Sequence, residues 1–170
     1  ISFMDDVQDL FGSPTNVSSN DMIILAQNKM KGKIKSLDDL TREGIRVGTA
    51  HPEKSALGAL TVRLLNHLKI NIEKNLLLNS ATGDFLVNQL RAGSLDAVIV
   101  YRSNALVNSS TLDDAFIVNI DDPMAVAIQP FAIGTNSSHR NLMMRLLDSL
   151  TGTESKSDFL KYGFKWEVKS

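Results

Sequence analysis

Two short stretches and one strand end carry the groups that could do chemistry in this 170-residue chain. The first stretch is Lys54-Ser55-Ala56-Leu57-Gly58 and the second is Ala81-Thr82-Gly83-Asp84. Each reads as a strand running into a helix. The first amides of a helix have no partner inside it, and the positive end of the helix dipole lies there, so neutral, oriented donors are available to an anion. The strand end is Tyr101-Arg102-Ser103-Asn104, which closes the apolar run Leu95-Asp96-Ala97-Val98-Ile99-Val100. Ligands of open α/β sheets bind at the carboxyl ends of the strands, so this polar cluster is a candidate site. A plainer reading stands beside each feature. Gly58 would allow close packing of helix on sheet. Thr82-Gly83-Asp84 would be an ordinary helix cap, with Asp84 serving the dipole. Tyr101 would end its strand with its hydroxyl in water.

Composition removes several other chemistries. Cysteine is absent, so there is neither a disulfide nor a thiolate metal site, and His51, His67 and His139 are too scattered for a metal. Against 18 basic residues stand 19 acidic ones, and no basic stripe marks a nucleic-acid surface. No apolar run reaches membrane-spanning length. His51 with Glu53, or His67, could be drawn as acid–base pairs, but no catalytic triad, nucleophile elbow, phosphate loop or metal-ligand spacing accompanies them. The chain is therefore read as a non-enzyme without a cofactor. It opens at Ile1 with no leader pattern, and is expected to be a processed chain or a fragment.

The candidate residues need elements to hold them. Met4, Val7, Leu10 and Phe11 predict a short helix, stopped at Gly12-Ser13-Pro14 and followed by a Ser/Asn/Thr loop. Met22–Ala26 predicts a buried strand, and the basic run Lys29–Lys35 a flexible, solvated loop. Ser36 is expected to cap a short helix with Asp39 three residues on. Ile45–Ala50 is the next strand. The helix after it shows an apolar stripe of Leu57, Leu60, Leu64 and Leu68. Asn75–Leu78 is a short strand. Thr82 or Ser80 caps a helix facing inward with Leu86, Val87 and Leu90, and Gly93 ends it in the left-handed cap position. Phe116–Ile120 and Met124–Ile133 are extended, the latter at an edge or bend because of Pro130. Ser138 caps a helix with Leu142, Met143, Leu146, Leu147 and Leu150 inward, and Thr153–Tyr162 is a last helix. Strands alternate with helices, as in βαβ units around a parallel sheet, so the fold class is α/β.

The order of these segments has a known counterpart. SLDDL, RVGTA, HPEKSALG, TGDFLVNQLRAGSLDAVIVY, a long extended run and a terminal DFLKYGF follow one another from about Asp21 to Phe164. This order resembles the C-terminal two-thirds of the molybdate-binding proteins of ABC transporters, with LDAVIVY and KYGF the most telling segments. The resemblance implies a type 2 periplasmic-binding-protein-like lobe, with a mostly parallel sheet flanked by helices, plus crossing strands and C-terminal helices of an incomplete second lobe. Residues 1–20 would be an N-terminal remnant and 21–170 the solute-binding unit. Its continuous lobe would span about 28–122, and the crossing strands and closing helices 21–27 and 123–170. The upstream part of the other lobe, which supplies serine ligands in the family, would be missing.

The resemblance further implies an extracytoplasmic or periplasmic component of an ABC transporter that closes over a small oxyanion and meets a permease. Amides near Leu57 and Gly83 and the Tyr101 hydroxyl would face the ligand, with Ser55, Gly58 and Thr82 completing the shell. No nucleic acid or membrane is implied as partner, and a homodimer through the exposed lobe face is left open. Asp84 departs from this pattern, since a carboxylate competes for the same amides and repels an anion. Either the anion differs from molybdate (sulfate, a phosphate-bearing or an organic acid ligand) or Asp84 points away. A ligand-sensing effector domain of a regulator is the alternative function.

Overall fold

The computed structural model describes residues 7–108 and 110–169. The chain falls into two compact units, the first Asp21–Ala125 and the second Ile1–Asn20 with Val126–Ser170. In chain order the elements are β1 (Thr15–Gln27), β2 (Val47–Ala50), α1 (Ala56–Leu68), β3 (Leu76–Ser80), α2 (Gly83–Arg91), β4 (Ala97–Tyr101), α3 (Arg102–Leu106), α4 (Thr111–Asp114), β5 (Ala115–Asn119), β6 (Val126–Phe131), α5 (Arg140–Leu150), α6 (Thr153–Lys161) and β7 (Lys165–Trp166).

The unit Asp21–Ala125 is built on a sheet of strand order β3-β2-β4-β1-β5. β2 runs parallel to both β3 and β4, as the alternation of strand and helix required. β1 enters antiparallel to both its neighbours, with Met22 opposite Tyr101 and Ile23 opposite Asn119. Met22 to Ala26 are fully buried, because β1 has a strand on each side and both its faces are covered. Leu57, Leu60 and Leu64 of α1 and Leu86, Val87 and Leu90 of α2 are buried as their spacing predicts, whereas Leu68 at the end of α1 is partly exposed. Gly93 has φ +81°, the left-handed turn out of α2. Thr82 caps α2 by accepting from the Phe85 amide, and the Ser80 hydroxyl instead accepts from the Thr82 amide to shape the turn.

Several local expectations are corrected. The run Lys29–Lys35 is anchored rather than loose. Met30 and Ile34 are buried, and Lys29 forms an ion pair with Asp96 at 2.8 Å. The lysines alternate with apolar residues, so the side chains that point inward fix the segment. Near Ser36 the cap runs the other way. The chain makes a single 3₁₀ turn at Asp38–Thr41, and the Asp39 carboxylate accepts the amides of Lys35 and Ser36 at 2.7 and 3.1 Å. These bonds, led by that from Lys35, lower the Asp39 pKa.

In the other unit, the first half of β1 pairs with β6 and β7. The polar run Thr15–Asn20 is therefore strand, not loop. Ser18 and Ser19 are buried there because their hydroxyls donate to Gln129 and Glu167. The helix expected over Met4–Phe11 lies partly outside the described residues, and Gln8–Leu10 forms one 3₁₀ turn. Ser138 does not cap α5. His139 holds the cap position without a side-chain bond. α5 and α6 contain no buried residue, and Leu142 and Leu146, expected inward, are 55% and 42% exposed.

Candidate functional site

Parallel pairing fixes which chain ends meet. β3, β2 and β4 end on one edge of the sheet, with Ala50 in register with Ser80. The starts of α1 and α2 and Tyr101, the last residue of β4, therefore share that edge. The His51 amide ties the β2 end to the β3 end by donating to the Ser80 carbonyl at 2.7 Å.

At the first junction Ser55 is the cap residue of α1, but its side chain makes no cap bond. Its carbonyl accepts from Ala59 and starts the helical ladder. Leu57 is buried, so only its backbone can serve a ligand. Gly58 lies directly against the chain: a Cβ there would fall on the His51 carbonyl group and 2.6 Å from the Ala50 carbonyl oxygen. Its lack of a side chain thus lets α1 approach the end of β2. The His51 ring does not pair with the Glu53 carboxylate. Its Nδ1 accepts from the Glu53 amide at 3.2 Å, which tightens the turn.

At the second junction Gly83 is the first residue of α2 and Asp84 the second. The Asp84 carboxylate is engaged by Asn104, whose Nδ2 donates to its Oδ1 at 2.8 Å. The Oδ1 of Asn104 accepts from the Tyr101 amide at 3.1 Å. The amide group of Asn104 also fills the space beside Gly83, where a Cβ would sit 2.6 Å from its Oδ1. Asn104 thus joins the end of β4 to the start of α2, a role that sequence reasoning missed. The signal available was an Asn three residues past the strand end, a spacing that lets the side chain reach back to the backbone.

The polar cluster after β4 divides. Arg102 turns toward β1 and β5, donating to Asn119 Oδ1 at 2.6 Å and lying 3.7 Å from the Asp21 carboxylate. Tyr101 stays at the edge, half-buried, and burial pushes its phenol up to about 12. It is therefore a neutral O–H donor at any ordinary pH. No group of three or more acidic, His or Cys side chains among the described residues could hold a metal. A separate groove of about 290 Å³, lined by Thr49, Thr61, Leu65, Asn66 and Leu76 among others, contains none of the six candidate residues.

The chain matches the family model of bacterial extracellular solute-binding proteins over residues 2–165. It is 34% identical over 97 residues to the molybdate-binding protein ModA of Mycobacterium tuberculosis, a match covering 57% of this chain and 36% of that relative's length. Among solved structures, the substrate-binding domain of a putative molybdenum ABC transporter from Clostridium difficile superposes with TM-score 0.72 at 16% identity, over 95% of this chain and 71% of that one. The Azotobacter vinelandii periplasmic molybdate-binding protein gives TM-score 0.72 at 13% identity, over 95% and 72%. A periplasmic thiamin-binding protein gives TM-score 0.81 at 13% identity, over 98% and 63%. These structural likenesses are of fold, and the fold is that of the type 2 periplasmic binding proteins. With the family model spanning nearly the whole sequence, the chain belongs to the bacterial extracellular solute-binding proteins.

Proposed function

We propose that this chain is the solute-capturing part of an ABC transporter and takes a small, molybdate-like oxyanion at the carboxyl edge of β3, β2 and β4. One observation carries the reading: two helix starts and a strand that ends in a tyrosine share that edge. The curated relative binds molybdate by name, which supports the ligand class. Amides near Leu57 and Gly83 would meet the anion, with Ser55, Gly58 and Thr82 shaping the two turns and the Tyr101 hydroxyl donating. Neutral donors suit this task, because a desolvated anion needs its water replaced by several oriented hydrogen bonds. The family acts outside the cytoplasm, and a permease would be the protein partner. Residues 21–125 would act as one lobe, and the rest of a receptor of the relatives' length would supply the other donors.

This predicts weak binding by the chain alone. Molybdate, sulfate and phosphate titrated against ¹⁵N-labelled chain should shift the amides of Leu57 and Gly83 with dissociation constants of about a millimolar or weaker, since only part of the shell is present. Tyr101→Phe should weaken that binding by about ten- to a hundredfold, the value of one hydrogen bond to a charged acceptor. Unmoved amides at these two positions under all three anions would refute the anion reading. An unaffected Tyr101→Phe variant would remove Tyr101 from it.

A further inference from the structure

We propose that Asn104 is a positioning residue that parks the Asp84 carboxylate and so keeps the start of α2 open to an anion. The inference rests on the oxyanion reading above and assigns how specificity is kept at that same site. Asp84 is the second residue of α2, in the first turn, where a carboxylate is drawn toward the positive end of the helix and its free amides. In this chain its Oδ1 accepts from Asn104 Nδ2 at 2.8 Å.

Asn104 is fixed at both ends of its amide. Its Oδ1 accepts from the Tyr101 amide at 3.1 Å, so the orientation of the group is set by the end of β4. Gly83 provides the floor: the Asn104 oxygen, carbon and nitrogen would lie 2.6, 2.8 and 3.1 Å from a Cβ at that position. Only a residue without a side chain leaves room for the amide to pass. Tyr101, Gly83 and Asn104 thus form one device that engages the Asp84 carboxylate. Without it, the carboxylate is free to occupy the amides and to face any anion with a like charge.

The device makes a charge-specific prediction that simple packing does not. Asn104→Ala should weaken oxyanion binding by about tenfold, because a freed carboxylate both competes and repels. Adding Asp84→Asn to Asn104→Ala should restore the affinity to that of Asp84→Asn alone. If Asn104 served only to support the strand–helix junction, the second substitution would rescue nothing. Gly83→Ala should reproduce the Asn104→Ala loss, since it displaces a side-chain amide rather than backbone, and Asp84→Asn should rescue it in the same way.

The experiment is the amide-shift titration of the full 170-residue chain with molybdate, sulfate and phosphate, run on wild type, the three single variants and the two double variants. Loss with Asn104→Ala and recovery in the double variants support the proposal. Wild-type affinity in Asn104→Ala, or loss without recovery, overturns it while leaving the oxyanion reading intact. Failure of wild type to respond to any of the three anions refutes the oxyanion reading itself and this inference with it. Unfolding midpoints of all variants separate misfolding from loss of binding. If Asn104→Ala fails to fold, the Gly83→Ala pair decides the outcome alone.

Discussion

Gly58→Ala should destabilise the chain by about 3 kcal/mol, enough to remove a large share of the stability of an ordinary domain. The sign is the informative part. Glycine inside a helix is costly, and alanine would normally improve an α-helix by about 1 kcal/mol. Here the added methyl group has nowhere to go: it meets the carbonyl groups of His51 and Ala50, which are backbone and belong to the tight turn out of β2. α1 would have to lift from the sheet, loosening Leu57, Leu60 and Leu64, which are all buried. Gly83→Ala is the built-in comparison, because its methyl group meets only the side chain of Asn104. Urea denaturation followed by circular dichroism measures both. A Gly58→Ala variant as stable as wild type would show that the packing of α1 against the end of β2 is looser than described.

Asp96→Ala should cost about 2–3 kcal/mol, through loss of the clamp at the opposite edge of the same sheet. Asp96 is buried just before β4, and its Oδ2 accepts both the backbone amide and the Nε of Arg46 at 3.0 Å. Arg46 Nη2 reaches Oδ1 at 2.9 Å and Lys29 reaches it at 2.8 Å. The two cations are 41% and 55% exposed and can return to water, so most of the cost falls on the orphaned amide and the emptied carboxylate position. Arg46 foremost, then Lys29, holds the Asp96 carboxyl well below the usual carboxylate range. A depressed value stabilises the fold above the ordinary carboxylate pKa of about 3.9 and is lost as pH falls through and below it. The stability gap between wild type and Asp96→Asn should therefore be constant from pH 6 to 8 and narrow below about pH 4. A gap that stays the same at pH 3 would exclude the ion pair as its source.

The central sheet was legible because its signals are redundant. Val47, Val98, Ile99 and Val100 are apolar on both faces, and the stripes of α1 and α2 repeat at helical spacing, so one element confirms the next. Turn chemistry with a single demand, such as Gly93 with its positive φ, was equally plain. Two of the failures share a cause: the residue's partner lies far along the chain. Ser18 and Ser19 read as loop until Gln129 and Glu167 are brought beside them. The lysine run reads as solvated until Asp96 takes Lys29. Leu142 and Leu146 carry a stripe that predicts burial, but a stripe states only which face is apolar, not that the unit contains something to cover it. At the candidate site, both junctions and Tyr101 were readable from strand ends alone. The link through Asn104 was not, since it depends on α3 starting right after β4.

The place of β1 has a consequence for how the protein is made. Its run Met22-Ile23-Ile24-Leu25-Ala26 is central to the sheet, yet its partners on either side are Ala97–Tyr101 and Ala115–Asn119. At a synthesis rate of about 5–20 residues per second, this apolar strand waits roughly 5–20 s on the ribosome before both neighbours exist. During that time it offers the kind of uncharged, β-prone segment that aggregates. The central sheet of this unit thus cannot be completed until Asn119 has been made.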